Sequence, residues 1–448
     1  MLSVVIPSYY NAQCLELTLR SLTRQTLPAD LYEVVVVYDG CPVPERLDEL
    51  RHTVPFRLTE LPLPARRGRS AARNAGIRAA RGDRVLLLDN DSLCPPDLLA
   101  RHHETGEKHP DAVVMGGRGE LAAQGWAVLR EVSDGGPLPT APPGGHDVRA
   151  ATIQDEPWLY GFSHNLSVGR AEALAVGLFD EDFGTRWGGE DLDFSYRLFR
   201  HLGRDAAKFH YEPSILCWHL PHYRDLERTY ADHRESLAHL RDKHRHFEVE
   251  LVSGLPEVLA GSLADIAARV ADYRTVMDIC RREKLCSAEP WRPVAERLLG
   301  DGSRALCVGY DTAPLAGPNG MTFDYGRPVT DTNLHLLGVD VPFAEGTFDA
   351  VLSTDFWRLL RLPDLLPFIA ESLTVAGTLL LAASDELTDR GPALGFDPLT
   401  DLDYFTDLLA PAFRVTREAV PGTGTVLTVV PAGRERRPGR ARRGTPAA

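Results

Sequence analysis

Along the first ninety residues, short unbroken apolar runs alternate with stretches whose apolar positions recur at helical spacing. SVVIP (3–7), YEVVVVYD (32–39) and RVLLLDND (84–91) are rich in β-branched and aliphatic residues and predict strands, the last of them buried. Between them, QCLELTLRSLTRQ (13–25) and ARNAGIRAA (72–80) predict helices. Strand–helix–strand alternation implies an α/β fold with a mostly parallel sheet. Ligands of such sheets bind beyond the carboxyl ends of the strands, which gathers Pro7, Asp39, Asp89 and Asp91 around one crevice.

The pattern changes along the chain. Residues 1–223 read as the sheet domain, and 224–300 as a charged helical connector. After GDGS (300–303) a second strand-rich pattern begins at RALCVGYD, so 301–432 reads as a second, smaller Rossmann-like α/β domain. GGPLPTAPPGGHD (135–147) reads as a mobile loop, and the basic tail 433–448 as disordered.

Composition narrows the function. The chain has 448 residues, with 49 Lys+Arg against 63 Asp+Glu and a net charge of −14, which disfavours nucleic acid as a partner. Seven cysteines without CxxC spacing suit the reduced thiols of a cytoplasmic protein. No apolar run reaches the ~20 residues of a membrane span, and MLSVVIPSYY reads as a strand rather than a leader.

Taken singly, the polar candidates are ambiguous. DND at 89–91 can hold a hard cation or simply end a strand in a turn. Asp39 before Gly40 suits an ordinary turn, and His219, or His222 after it, suits a structural histidine. RWGGEDLDF (186–194) puts Glu190 and Asp191 at a helix start, where acids also favour the macrodipole.

In combination these blocks carry a resemblance. VVIPSYYNAQCLELTLRSLTRQTLP, YEVVVVYDG, GRSAARNAGIRAARGDRVLLLDND and FSHNLSVGRAEALAVGLFDEDFGTRWGGEDLDFSYRLFRHLG resemble, in order and spacing, the family-2 inverting glycosyltransferases of GT-A fold. The resemblance implies a nucleotide-sugar donor and Mn²⁺ or Mg²⁺. It implies Asp39 on the nucleobase, with Pro7 and Tyr9 lining that pocket, and Arg69, Arg73, Asn74 and Asp89 on the donor. Asp89, Asp91 and His219 would hold the metal, with His222 as the alternative histidine. Asp191 would be the general base and Glu190 would orient the acceptor, with Trp187, Gly188 and Gly189 lining the acceptor's side. Uridine is the default base. Tyr38 stands where the family has a second acid and Tyr10 where it has Asn, which leaves guanosine and thymidine open. The acceptor is expected to be a small molecule, glycan or peptide, and a homo-oligomer is left open.

The last third resembles a class I methyltransferase: RALCVGYDTAPLAGPNG, MTFDYGRP, VDVPFAEGTFDAVLSTDFWRLL and ESLTVAGTLLLAAS follow that family's order. Cys307 replaces its strand-end acid, while Tyr310 and Asp311 put side chains where close approach to S-adenosylmethionine needs glycine. Asp324 remains as a ribose-binding acid. A degenerate domain without S-adenosylmethionine is therefore expected. The alternatives are a bifunctional glycosyltransferase–methyltransferase and a non-catalytic sugar-binding scaffold.

Overall fold

The computed structural model describes residues 1–121, 126–136, 156–223, 225–253, 263–300 and 302–432. Most of the Gly/Pro-rich 135–147 stretch and the whole 433–448 tail lie outside the described residues. The chain divides into two compact units. One is Met1–Leu240 with Gly261–Ala271; the other is Arg241–Ala260 with Asp272–Ala448.

The first unit is built on eight strands: β1 (Leu2–Ser8), β2 (Tyr32–Tyr38), β3 (Arg57–Pro62), β4 (Arg84–Leu88), β5 (Ser92–Leu93), β6 (Val113–Glu120), β7 (Asn165–Gly169) and β8 (Phe209–His219). Their order is β3-β2-β1-β4-β7-β6-β8-β5. β1 pairs in parallel with both β2 and β4, and all three are buried nearly throughout. That is why they read as continuous apolar runs rather than alternating ones.

Helices Ala12–Leu22 and Arg69–Ala79 fall where helical spacing predicts them. The second packs tightly on the sheet. A Cβ at Gly76 would lie 2.3 Å from Val5 Cγ1, so only glycine allows this approach. Strand order reverses at β1, which makes the carboxyl ends of β1, β2 and β4 a topological switch point.

The second unit has a six-stranded sheet of β9 (Ala305–Gly309), β10 (Met321–Asp324), β11 (Ala350–Ser353), β12 (Leu379–Ser384), β13 (Phe413–Val420) and β14 (Gly424–Pro431). Its order is β10-β9-β11-β12-β14-β13, with β10, β9, β11 and β12 parallel and β14 antiparallel between β12 and β13. Both sheets carry the α/β architecture expected from the sequence.

The expected connector forms the helices Leu226–His244, Phe247–Ser253, Leu263–Glu283 and Arg292–Leu299. They do not make a third unit: residues up to Leu240 cluster with the first sheet. No described helix is long and apolar enough to cross a membrane, and no disulfide joins the seven cysteines.

Candidate active site

A cavity of about 780 Å³ opens at the switch point of the first sheet. Pro7 and Tyr9 at the end of β1, Asp39 after β2 and Asp89 and Asp91 after β4 all line it, as the strand ends predict. Asp39 is nearly buried, and its two carboxylate oxygens accept the backbone N–H groups of Arg67 (2.7 Å) and Gly68 (2.8 Å). This pins the loop leading into the Arg69–Ala79 helix. Arg66 in that loop lies over the exposed Tyr9 ring, 4.1 Å from its centroid, and both line the cavity with Arg69.

Strand register assembles the second feature. β5 pairs with β8 so that Ser92 faces His219, and Leu220 N–H donates to the Asp91 carbonyl at 2.7 Å. Asp91, His219 and His222 therefore converge, with one ligand atom from each lying within 4.8 Å of the others. Asp91 Oδ2 is 3.4 Å from His219 Nε2 and 3.1 Å from His222 Nδ1. β6 places Glu120 opposite His219, and Glu120 Oε2 stands 2.8 Å from His219 Nδ1. Such a carboxylate fixes the imidazole and leaves Nε2 to face the cluster.

Burial resists ionisation of Asp91. His219, aided by His222 and Arg118, outweighs it and holds the carboxyl below its ordinary range. Asp91 Oδ1 is buried with no hydrogen-bond partner, which is the condition of a ligand atom awaiting a cation. One carboxylate and two imidazoles fit a divalent first-row ion such as Mn²⁺ better than Mg²⁺, which prefers oxygen ligands.

Asp89 does not join this cluster. Arg73 Nη2 reaches its Oδ1 at 3.4 Å, while Arg73 Nη1 donates to Glu190 Oε1 at 2.9 Å. Arg73 and Glu190 are both buried, so Glu190, expected to orient an acceptor, is instead half of a buried ion pair. Burial would push the Glu190 carboxyl up, but the Arg73 and Arg69 charges hold it below the usual range. Its neighbour goes the other way. Burial and the Glu190 charge push half-buried Asp191 up to about 7, against the pull of Arg73. Asp191 lies in the first turn of the Glu190–His201 helix and accepts the Leu192 N–H at 3.0 Å, but it is not among the cavity's lining residues.

Asn74, expected on the donor, is spent elsewhere. Its amide donates to the Phe179 carbonyl (2.9 Å) and Glu181 Oε1 (3.0 Å), and its oxygen accepts Phe179 N–H (2.9 Å). It fastens one helix to the 179–181 turn and does not line the cavity.

Gly188 and Gly189 also differ from expectation. Their φ values of +82° and +85° require glycine, and a Cβ at Gly188 would meet His233 Nδ1 at 2.6 Å. The two glycines let the Leu226–His244 helix pack against the turn, and neither is among the cavity's lining residues. Trp187 does line the cavity, and its ring stands 5.3 Å from that of His233.

The same helix supplies wall residues that motif reading missed: Arg228, Thr229 and Asp232, preceded by Asp225, which caps the Arg228 N–H at 3.1 Å. The one signal in the sequence is their spacing, which puts polar side chains on a single helical face.

In the second unit, strand order reverses at β9, and the chain bonds to itself across the end of that strand. Tyr310 N–H donates to the Cys286 carbonyl (3.2 Å) and Ala288 N–H to the Tyr310 carbonyl (2.8 Å). Thr354 Oγ1 also donates to Cys286 O, at 2.7 Å. Asp324 is fully buried, and its two oxygens accept Thr312 N–H and Gly326 N–H, each at 3.0 Å.

Residues 3–123 match the family model of glycosyl transferase family 2. Over 237 residues, 45% of this chain and 52% of the relative, it is 33% identical to a validoxylamine A glucosyltransferase of Streptomyces hygroscopicus subsp. jinggangensis. It is 27% identical to an Escherichia coli chondroitin synthase over 247 residues, 47% of this chain and 35% of that one. The chain thus spans about half the length of the validoxylamine relative. Among solved structures, a Pyrobaculum calidifontis mannosyltransferase in complex with GDP-Man and Mn²⁺ is similar with a TM-score of 0.42 and 19% identity, covering 60% of this chain and 73% of that one. S. aureus TarS 1-349 in complex with UDP-GlcNAc gives 0.41 and 18%, covering 57% and 68%.

Proposed function

We infer from the match of residues 3–123 to the glycosyl transferase family 2 model that the first unit is a domain of that kind. From this premise we propose that the first unit transfers a sugar from a nucleotide-diphosphate donor to an acceptor hydroxyl with inversion. The observation that carries the reading is the convergence of Asp91, His219 and His222 at a cavity that Asp39 and the Tyr9–Arg66 pair also line. Tyr9 offers an aromatic face to a base, with UDP the preferred nucleotide. Arg66 and Arg69 have no carboxylate partner within 4 Å among the described residues, which suits them to a diphosphate. A divalent cation held by Asp91, His219 and His222 would supply charge neutralisation for the departing diphosphate. Asp89 acts from the wall through its pairing with Arg73.

Asp191 is the proposed general base. The acceptor oxygen bonds to the anomeric carbon as the bond to the diphosphate breaks on the opposite face, and the acceptor proton passes to the carboxylate. A base poised near neutrality suits this task. The glucosyltransferase name of the validoxylamine relative supports sugar transfer as the reaction. The second unit fits a packing role better than methyl transfer, because Cys286 and Ala288 bond Tyr310 across the end of β9 and both oxygens of the buried Asp324 accept backbone N–H groups of its own chain.

The test is calorimetric titration of the full chain with UDP, GDP and dTDP in the presence of Mn²⁺ and again with EDTA. Binding of one nucleotide that EDTA and Asp91→Ala each weaken is expected. Failure of all three to bind would remove the reading.

A further inference from the structure

We infer that the Leu226–His244 helix forms a carbohydrate-acceptor subsite with Trp187, in which Asp232 and Thr229 select a hydroxyl-rich sugar ring over a peptide or an aromatic acceptor. This rests on the transferase reading above and names the acceptor class for the same cavity.

The WGG turn and this helix are built as one wall. Ser236 Oγ donates to the Trp187 carbonyl at 3.4 Å, His233 meets the Trp187 ring, and the positive-φ glycines leave room for both. His233 and Ser236 thus pack the helix onto the turn. Thr229 and Asp232, four residues before His233 and Ser236 respectively on the same helix, line the same cavity as Trp187. Helical geometry puts such neighbours on one face.

The chemistry of that wall is specific. Trp187 is partly exposed, and its indole N–H has no acceptor among the described residues. Asp232 is half-buried and makes no hydrogen bond or ion pair among the described residues. The Thr229 hydroxyl is likewise without a side-chain partner there. Of the other carboxylates that line the cavity, Asp39 is taken by backbone amides, Asp89 by Arg73, Asp225 by its helix and Asp91 by His219 and His222, so Asp232 is held ready for an outside donor.

A pyranose matches this set. Its C–H face covers an aromatic ring, and its equatorial hydroxyls donate to a carboxylate and exchange hydrogen bonds with a threonine. A peptide offers few such donors, and an aromatic acceptor would leave Asp232 facing apolar surface at a desolvation cost.

The experiment measures nucleotide-diphosphate release by the full chain with Mn²⁺ and UDP-, GDP- or dTDP-glucose. Methyl β-D-glucoside, cellobiose and maltose are added in turn, against a Ser/Thr-containing peptide and p-nitrophenol. At least one saccharide is expected to accelerate release above the rate with water, and the peptide and phenol are not.

Asp232→Asn is expected to raise the KM for that saccharide by about tenfold, the worth of a hydrogen bond to a charged group, with nucleotide affinity unchanged. Thr229→Val should raise it to a smaller degree and decides the matter if Asp232→Asn does not fold. The inference is overturned if nucleotide binds but only the peptide or phenol accelerates release, or if both variants keep the saccharide KM. Absence of nucleotide binding would instead remove the transferase reading and this subsite with it.

Discussion

Arg73 and Glu190 form a buried ion pair with 2.9 Å between Nη1 and Oε1, and Arg73 Nη2 reaches Asp89 at 3.4 Å. One guanidinium therefore ties the Arg69–Ala79 helix, the end of β4 and the start of the Glu190–His201 helix together. Arg73→Met would leave Glu190 buried without a counter-charge. It is expected to destabilise the first unit by about 3–5 kcal/mol. Arg73→Met combined with Glu190→Gln should recover much of the loss, because the remaining buried group is neutral. Denaturant titration of the parent and the two variants checks this; equal losses in the single and double variants would contradict the pairing.

Glu120 touches His219 but is not part of the Asp91–His219–His222 cluster. Glu120→Gln should weaken Mn²⁺ binding by about 10–100-fold, the usual cost of losing an outer carboxylate on a ligating histidine. Titration of the full chain with Mn²⁺ alone, followed by electron paramagnetic resonance of the free ion, measures it. Asp91→Ala should abolish the signal change, and Asp89→Asn should reduce it far less, because Asp89 faces Arg73 rather than the cluster.

Asp191 links rate and stability with opposite signs. Its folded-state value is pushed up to about 7, above the ~3.9 of an unfolded aspartate. The proton is thus held more tightly in the folded chain. The stability this contributes is complete below the unfolded value and is lost as pH rises through about 7. Turnover should rise over the same interval as the base ionises. Asp191→Asn should lower transfer by about 10²–10⁴-fold. Its melting temperature relative to the parent should climb as pH goes from about 4 to 8. A merely structural aspartate that accepts the Leu192 N–H predicts retained turnover and a small loss of stability at every pH.

For the second unit, S-adenosylmethionine should give no calorimetric isotherm with the full chain. The Cys286 carbonyl takes both the Tyr310 N–H and the Thr354 hydroxyl across the end of β9. A Cβ at Gly309 would already lie 2.0 Å from Thr354 Oγ1, so the turn is closed against its own chain. A saturable isotherm would overturn the packing role and reinstate a bifunctional chain.

By itself the sequence determined the two α/β sheets, the crevice at the ends of β1, β2 and β4, and the membership of Pro7, Asp39, Asp89 and Asp91 in its wall. Those features follow from local causes: apolar runs for strands buried on both faces, and polar residues where such strands must end. Tertiary structure alone decided how the charged groups are shared. Asp89 and Glu190 lie far apart in the chain yet meet one arginine, a sharing of charge that neither motif predicts. Both His219 and His222 approach Asp91 because β5 and β8 pair in one register, which no local pattern encodes. Thr229 and Asp232 reach the cavity only because glycines at positive φ let a later helix close on Trp187. Periodicity is a property of neighbours in sequence. The partner a charge receives is set by long-range packing, where several candidates compete for one buried position.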